Sequence, residues 1–354
     1  MAVVTYSPFS IPQTVMFKKL FFLFVGVFVS FVFLSQVLSQ EPKLNLETQG
    51  NEIRCTVDGK PLFVYRTSSD SYENLAENEY KTYLSELYTP EGRNILRDSP
   101  LDHVHHHALM FAITADDVNF WEERGKDKSG VQWERSSFAS FSSRESRNDN
   151  GSRQWSCQAG FSRFVDWYKP NKENVLLESR DIRATLASDL DATLLDWTSV
   201  LFMAPDRESV KLSGTHYHGL GMRFDETMDK NGKFFCDPDS TIASDNVRGD
   251  EKKTPCKWIA YTAELHGKPV TVAVFDAPNN PRPMSAFTMG ESGQVFAYIS
   301  ATVDLEKEPI VMEDGTTPLV FRYGVAVWEG KRSTEEVEKV YRFWLDQLNR
   351  AFSL

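Results

Sequence analysis

Short runs that alternate apolar and polar residues, each closed by a turn signal, recur between residues 44 and 328 and confine the chain to antiparallel sheet. The first lies at residues 44–48 and the second at 52–57; Asp58-Gly59 then marks a tight hairpin, and residues 61–65 supply the returning strand. The same pattern returns at 180–186, 193–201, 258–265, 270–275 and 319–328, with His266-Gly267-Lys268 as another turn. Short strands spaced by turns predict a mostly β fold, an antiparallel β-sandwich. Ser333-Thr334-Glu335-Glu336 reads as a capping box that opens a C-terminal helix, with Val337, Val340, Tyr341, Trp344, Leu345 and Leu348 on one apolar face. A shorter helix is expected within residues 72–87, and long polar loops at 136–153 and 225–257. With no internal repeat and no break in composition, residues 40–354 read as one domain.

The N-terminus reads as a targeting segment. Lys18-Lys19 precedes an apolar run at 20–34, and Val37-Leu38-Ser39 stands ahead of Gln40. This is the order of a secretory signal peptide and places the mature protein in the periplasm or outside the cell. The alternative is a membrane anchor over residues 20–38, the N-terminal membrane attachment that a span of this length allows. Of the cysteines Cys55, Cys157, Cys236 and Cys256, none forms a CxxC pair. After export, Cys236 and Cys256 could close the polar stretch between them, worth about 3 kcal/mol in the chain-entropy view. A net charge of −11, without any basic cluster, argues against nucleic acid as a partner.

Histidine is the least evenly spread residue. Six of the seven histidines fall in two places: His103, His105, His106 and His107 in the first, His216 and His218 in the second. On an extended segment, residues two apart share a face with Cα atoms roughly 6.6 Å apart. His103, His105 and His107 would then converge, as would His216 and His218, with Asp102 or another acid completing a shell for one divalent metal ion, zinc, iron or manganese. The competing reading is metal-free, with His105 or His106 as catalytic acid and base and the other histidines holding hydroxyl groups.

Asp116-Asp117-Val118-Asn119-Phe120-Trp121-Glu122-Glu123 follows closely enough to line the same mouth; Trp121 would stack on a sugar ring, and Asp117 or Glu122 would supply a carboxylate. Asn280 and Arg282, in the stiff loop Asn279-Asn280-Pro281-Arg282-Pro283, and Arg223 are further candidates for binding an oxygen-rich substrate. The chain has no GxSxG elbow, P-loop, dinucleotide fingerprint or HExxH motif.

At these residues the sequence resembles the DUF6807 family, also labelled methane oxygenase PmoA. The likeness spans about residues 43–342. It is carried by Tyr88-Thr89-Pro90-Glu91-Gly92, Asp102-His103-Val104-His105-His106, Val118-Asn119-Phe120-Trp121, Tyr217-His218-Gly219-Leu220-Gly221-Met222-Arg223 and Asn280-Pro281-Arg282. The family motif reads DHPHHRG, so His103, His105 and His106 match it, while Val104, His107 and Ala108 replace its Pro, Arg and Gly. The resemblance implies a β-sandwich similar to galactose-mutarotase-like supersandwiches, often found among carbohydrate-degradation genes. A membrane methane oxygenase subunit would need several apolar spans, and this chain has one. The expectation is therefore an exported carbohydrate-active enzyme, a hydrolase, lyase or epimerase acting on a small-molecule or oligosaccharide substrate. The alternatives are a sugar-binding module without catalysis and a metal-dependent oxygenase.

Overall fold

The hairpins come first because their turns dictate them. Asp58 and Gly59 have φ of 47° and 79°, and His266 and Gly267 have φ of 50° and 77°; two successive left-handed residues make the tight turn whose twist matches its flanking strands. The computed structural model describes residues 43–68, 81–122, 128–147, 153–187, 190–230, 232–240, 250–289 and 296–351. The segment expected to be a signal peptide or anchor lies outside them. No described helix is long and apolar enough to cross a membrane.

The first strands are β1 (Leu44–Gln49), β2 (Glu52–Val57), β3 (Lys60–Arg66), β4 (Tyr83–Leu87) and β5 (Leu109–Ala112). The short β6 (Thr114–Ala115) and β7 (Val118–Asn119) precede the long β8 (Val131–Arg147), β9 (Arg153–Tyr168), β10 (Asn174–Ala187) and β11 (Thr193–Met203). Then come β12 (Val210–Ser213), β13 (Gly219–Arg223), β14 (Lys233–Cys236), β15 (Asp250–Pro255), β16 (Trp258–Leu265) and β17 (Lys268–Asp276). The last are β18 (Ser285–Met289), β19 (Tyr298–Thr302), β20 (Ile310–Met312) and β21 (Leu319–Glu329), followed by helix α1 (Thr334–Ala351).

Among the described residues these strands form a nine-stranded sheet, β1-β2-β3-β4-β5-β13-β19-β18-β15, and an eight-stranded sheet, β14-β16-β17-β21-β11-β10-β9-β8. A small sheet, β20-β12-β6-β7, stands beside them. All recorded pairings within strands are antiparallel. The large sheets face each other across one apolar core in which Tyr65 meets Phe161 at 4.8 Å and Phe111 meets Phe321 at 5.2 Å. The chain is thus a β-sandwich with a C-terminal helix.

Each sheet also carries a load on its outer face. Helix α1 packs Val337, Val340, Tyr341 and Trp344 against Trp258, Phe275 and Trp328 of the eight-stranded sheet. Its capping box closes as expected, Ser333 N–H donating to Glu336 Oε2 at 2.8 Å and Glu336 N–H to Ser333 Oγ at 3.3 Å. The outer face of the nine-stranded sheet carries the candidate functional site. Between the sheets, fully buried Arg180 donates to both oxygens of Glu178 at 2.9 and 2.8 Å, to the Tyr65 hydroxyl at 3.0 Å and to Thr82 O at 2.8 Å. Ser199 and Trp167 complete the hydrogen bonds of Glu178. A buried charge needs such full partnership.

Three expectations are corrected. Residues 83–87 of the expected short helix are strand β4, and residues 72–80 lie outside the described ones. The expected loop at 136–153 is largely a hairpin, with β8 running along β9 from Val131↔Tyr168 to Arg147↔Arg153. Its serine content masked the alternation. The polar stretch 225–257 contains β14, β15 and a turn of 3-10 helix at Glu226–Met228. All four cysteines are thiols in this structure.

Candidate functional site

The histidine segment is a folded turn and not a strand, and this changes which imidazoles meet. Its neck is tied by antiparallel bridging of Asp98 to His107, with Ser99 N–H donating to His106 O at 3.0 Å and Arg223 N–H to Ala108 O at 2.7 Å. Within the loop, His103 N–H donates to Pro100 O and His106 N–H to His103 O. These tight turns gather the rings of His103, His105 and His106. His103 stacks on His106 at 4.7 Å between centroids, and His105 meets His106 edge-on at 4.8 Å and His103 at 5.7 Å.

His107 goes elsewhere. Its ring stacks on Tyr83 at 4.4 Å, and its Nδ1 lies 3.1 Å from Asp98 Oδ1 and 2.9 Å from Ser99 Oγ. Tyr83 donates its hydroxyl to the other oxygen of Asp98 at 2.8 Å. The predicted convergence of His103, His105 and His107 is therefore corrected to His103, His105 and His106, because alternation holds on a strand and not on a turn. Asp98 and Ser99 share one nitrogen of His107, so they orient that ring and do not form a relay through it.

The three imidazoles open onto a cavity of about 370 Å³. His216 adds a fourth ring and Glu122 a carboxylate; Tyr217, Tyr298, Phe287, Phe296 and Met289 make the remaining wall. Strand register explains the wall. Arg223 pairs with Tyr298, and Gly221 with Ser300, which pairs in turn with Phe287. Alternation then puts these residues on the sheet's outer face. Gly221 leaves the room: a Cβ there would stand 2.0 Å from the Tyr298 hydroxyl and 2.3 Å from the Trp121 ring.

The remaining candidates separate clearly. Trp121 is buried behind the wall, 6.3 Å from His106, 5.6 Å from His218 and 6.2 Å from Tyr298 between ring centroids. Asn119 Oδ1 holds its backbone N–H. Arg223 is also buried behind the wall. Its Nη2 donates to Asp102 Oδ2 at 2.9 Å, and its guanidinium lies 3.9 Å from the Phe296 ring centroid. Arg223 thereby anchors the histidine turn through Asp102. Asn280 and Arg282 do not line this cavity. Asn280 is engaged with Asp276 and with both backbone groups of Arg322, and Arg282 binds the backbone of Glu308 and Pro309. Asp117 is exposed at a left-handed turn position.

Burial, with His105 and His103 adding to it, pulls the His106 pKa down to about 2, so its ring is neutral. Its Nδ1 is buried and meets no hydrogen-bond partner among the described residues. Burial, with His216 and His105, likewise lowers His218 to about 4. Partial burial opposes ionisation of Asp102, but Arg223 and His103 outweigh it and hold the carboxyl below its ordinary value. Among the described residues, no three His, Cys, Asp or Glu side chains are arranged to hold a metal ion.

With this geometry in hand, comparison with known proteins places the chain. A family of unknown function, DUF6807, matches residues 52–342. The chain belongs to the DUF6807 family. His103, His105 and His106, the positions shared with the DUF6807 motif, are the three rings that meet in the cavity wall, whereas His107, standing for the motif's Arg, turns away. Ala108 stands where the motif has Gly, and its φ of 36° is the left-handed conformation that Gly adopts without strain. No curated protein matches the sequence. Among solved structures, a TPR-domain containing protein from Parabacteroides distasonis overlaps with a TM-score of 0.29 and 5% identity, over 83% of this chain and 54% of that one. The DUF6807 chain thus spans about half the length of that protein, and so slight a likeness carries no argument.

Tyr217, Phe287, Met289, Phe296 and Tyr298 were not among the residues expected from sequence. The signal available was the alternation in Ser285–Met289 and the spacing of Phe296 and Tyr298, which marks an apolar face without saying what covers it.

Proposed function

We propose that this protein is an exported carbohydrate-active enzyme, a hydrolase, lyase or epimerase, that seats a sugar ring in the histidine cavity. One observation carries the reading: a cavity of about 370 Å³ combines four imidazoles and one carboxylate with aromatic walls. Aromatic faces pack against the C–H faces of a sugar, and imidazoles exchange hydrogen bonds with its hydroxyl groups. The volume falls in the range of small-molecule sites.

The imidazoles divide the work by burial. His106 is neutral and offers a nitrogen to a substrate hydroxyl, but a group that titrates at about 2 is too weak a base to take a proton at neutral pH. Proton transfer then falls to His105, which stands edge-on to His106 and is less buried, with Glu122 as the carboxylate that lines the same cavity. Arg223 positions His103 through Asp102 and does not touch substrate.

The test is turnover of a panel of glycosides, followed by NMR, with wild type beside His105→Ala. Product formation that falls at least about a hundredfold in the variant, with sugar affinity retained, supports acid–base catalysis. Affinity without product in the wild type would make the protein a binding module, and oxygen consumption would make it an oxygenase.

A further inference from the structure

A second cavity, of about 320 Å³, lies on the eight-stranded sheet. Its floor follows from strand register. Lys233 pairs with Thr262, and Phe235 with Ala260, across β14 and β16. Ala260 belongs to the apolar cluster under helix α1, so alternation sends Lys233, Phe235, Thr262 and Glu264 to that same outer face. The helix covers the Trp258–Ala260 end of β16, and the cavity opens at the Thr262–Glu264 end. Lys331 and Arg332, between β21 and helix α1, complete its wall.

Thr271 fastens that wall to the sheet. Its hydroxyl donates to Gly330 O at 2.9 Å and accepts the Arg332 backbone N–H at 3.1 Å. With its hydrogen committed to Gly330, Thr271 can only accept from the Thr262 hydroxyl, 2.9 Å away. Thr262 therefore offers a ligand lone pairs and no hydrogen. Phe235 is half-buried, its ring edge-on to Trp258 at 5.9 Å between centroids. In a chain of net charge −11 this lining carries three cations and one carboxylate. Arg332 is matched by Asp191 and Glu336. Lys233, Lys331 and Glu264 are exposed and form no ion pair among the described residues. One exposed lysine is ordinary. Two unpaired ammonium groups from separate elements, sharing a cavity with an aromatic ring and two oxygen acceptors, define a ligand: an oxyanion with hydroxyl groups and an apolar face.

We propose that this cavity is a second binding site, separate from the histidine cavity, for an acidic saccharide. Its carboxylate or sulfate ester accepts from the ammonium groups of Lys233 and Lys331, its hydroxyl groups donate to Glu264 and Thr262, and its C–H face packs on Phe235. The two sites stand on the outer faces of different sheets, and this one does not depend on the chemistry assigned to the imidazoles.

Ligand-observed NMR titration of the full chain tests it with glucuronate and galacturonate beside their amides, glucose 6-sulfate beside glucose, and inorganic sulfate. At least one acidic sugar should bind about tenfold or more tighter than its neutral counterpart. The double variant Lys233→Gln/Lys331→Gln, at two exposed positions, should remove that preference. A preference confined to the sulfate assigns the oxyanion to a sulfate ester, and one confined to the uronates to a carboxylate. Equal affinity for acidic and neutral sugars overturns the proposal, as does a preference that survives the loss of both lysines. Inorganic sulfate that binds as tightly as glucose 6-sulfate, with no preference among the uronates, overturns the saccharide assignment. The wild-type comparison of each uronate with its amide decides the matter even if the variant fails to fold.

Discussion

The two buried imidazoles should make the fold sensitive to mild acid, by an amount that can be worked out. His106 titrates at about 2 and His218 at about 4 in the folded protein, whereas an unfolded histidine titrates near roughly 6.5. The unfolded chain therefore binds more protons below that pH. The contribution of each residue to stability is complete above about 6.5 and is lost as pH falls toward the folded value. Between pH 7 and pH 5 the loss integrates to about 2 kcal/mol for each histidine. The variant His106→Phe keeps the ring packing and removes one of the two contributions, so its stability should fall by about 2 kcal/mol less than that of wild type over the same interval. Buried carboxyls act in the opposite direction, burial raising Asp276 to about 7 and Asp196 to about 6; both proteins share them, and they cancel in the difference. Urea unfolding followed by tryptophan fluorescence at pH 7, 6 and 5 measures the effect. Parallel stability profiles for the two proteins would refute the reasoning.

Other outcomes follow from the same geometry. Gly221→Ala forces a Cβ against Tyr298 and Trp121, so it should lower stability by about 1–3 kcal/mol and abolish sugar binding, read by thermal melting and calorimetry. Arg180→Met leaves Glu178 charged and buried without its partner and should cost about 3–5 kcal/mol in urea unfolding. Ala108→Gly relieves a left-handed alanine and should raise stability by up to about 1 kcal/mol, a gain visible as a higher melting temperature. Because no three described His, Cys, Asp or Glu side chains are arranged to hold a metal ion, dialysis against EDTA should leave sugar affinity unchanged; a loss restored by zinc, iron or manganese would support the metal reading.

Much of the fold was legible because its signals are local. Asp58-Gly59 and His266-Gly267 can hardly be anything but hairpin turns, and Ser333 with Glu336 announces the last helix within four residues. The hairpin of β8 and β9 was hidden because a serine-rich sequence looks like a loop, although sixteen register pairs join the strands. The histidine cluster was legible as a concentration of one residue type, but its geometry was not. Local turns at Pro100–His103 and His103–His106 overrode strand alternation and redirected His107 to Asp98. Asn280 and Arg282 looked like ligand-binding groups because the sequence does not show that nearby backbone already occupies them. Phe287, Phe296 and Tyr298 join the site only through the pairing of β13, β19 and β18, which no local pattern encodes.

The most direct test of the central claim is to titrate the protein with neutral sugars while recording the imidazole resonances in a 1H–15N NMR spectrum. His266 serves as an internal control, since it sits exposed in the turn between β16 and β17. The account predicts that the resonances of His103, His105, His106 and His216 shift with added sugar while those of His266 stay fixed. Sugar binding that leaves those four unmoved, or that shifts His266 equally, would contradict it.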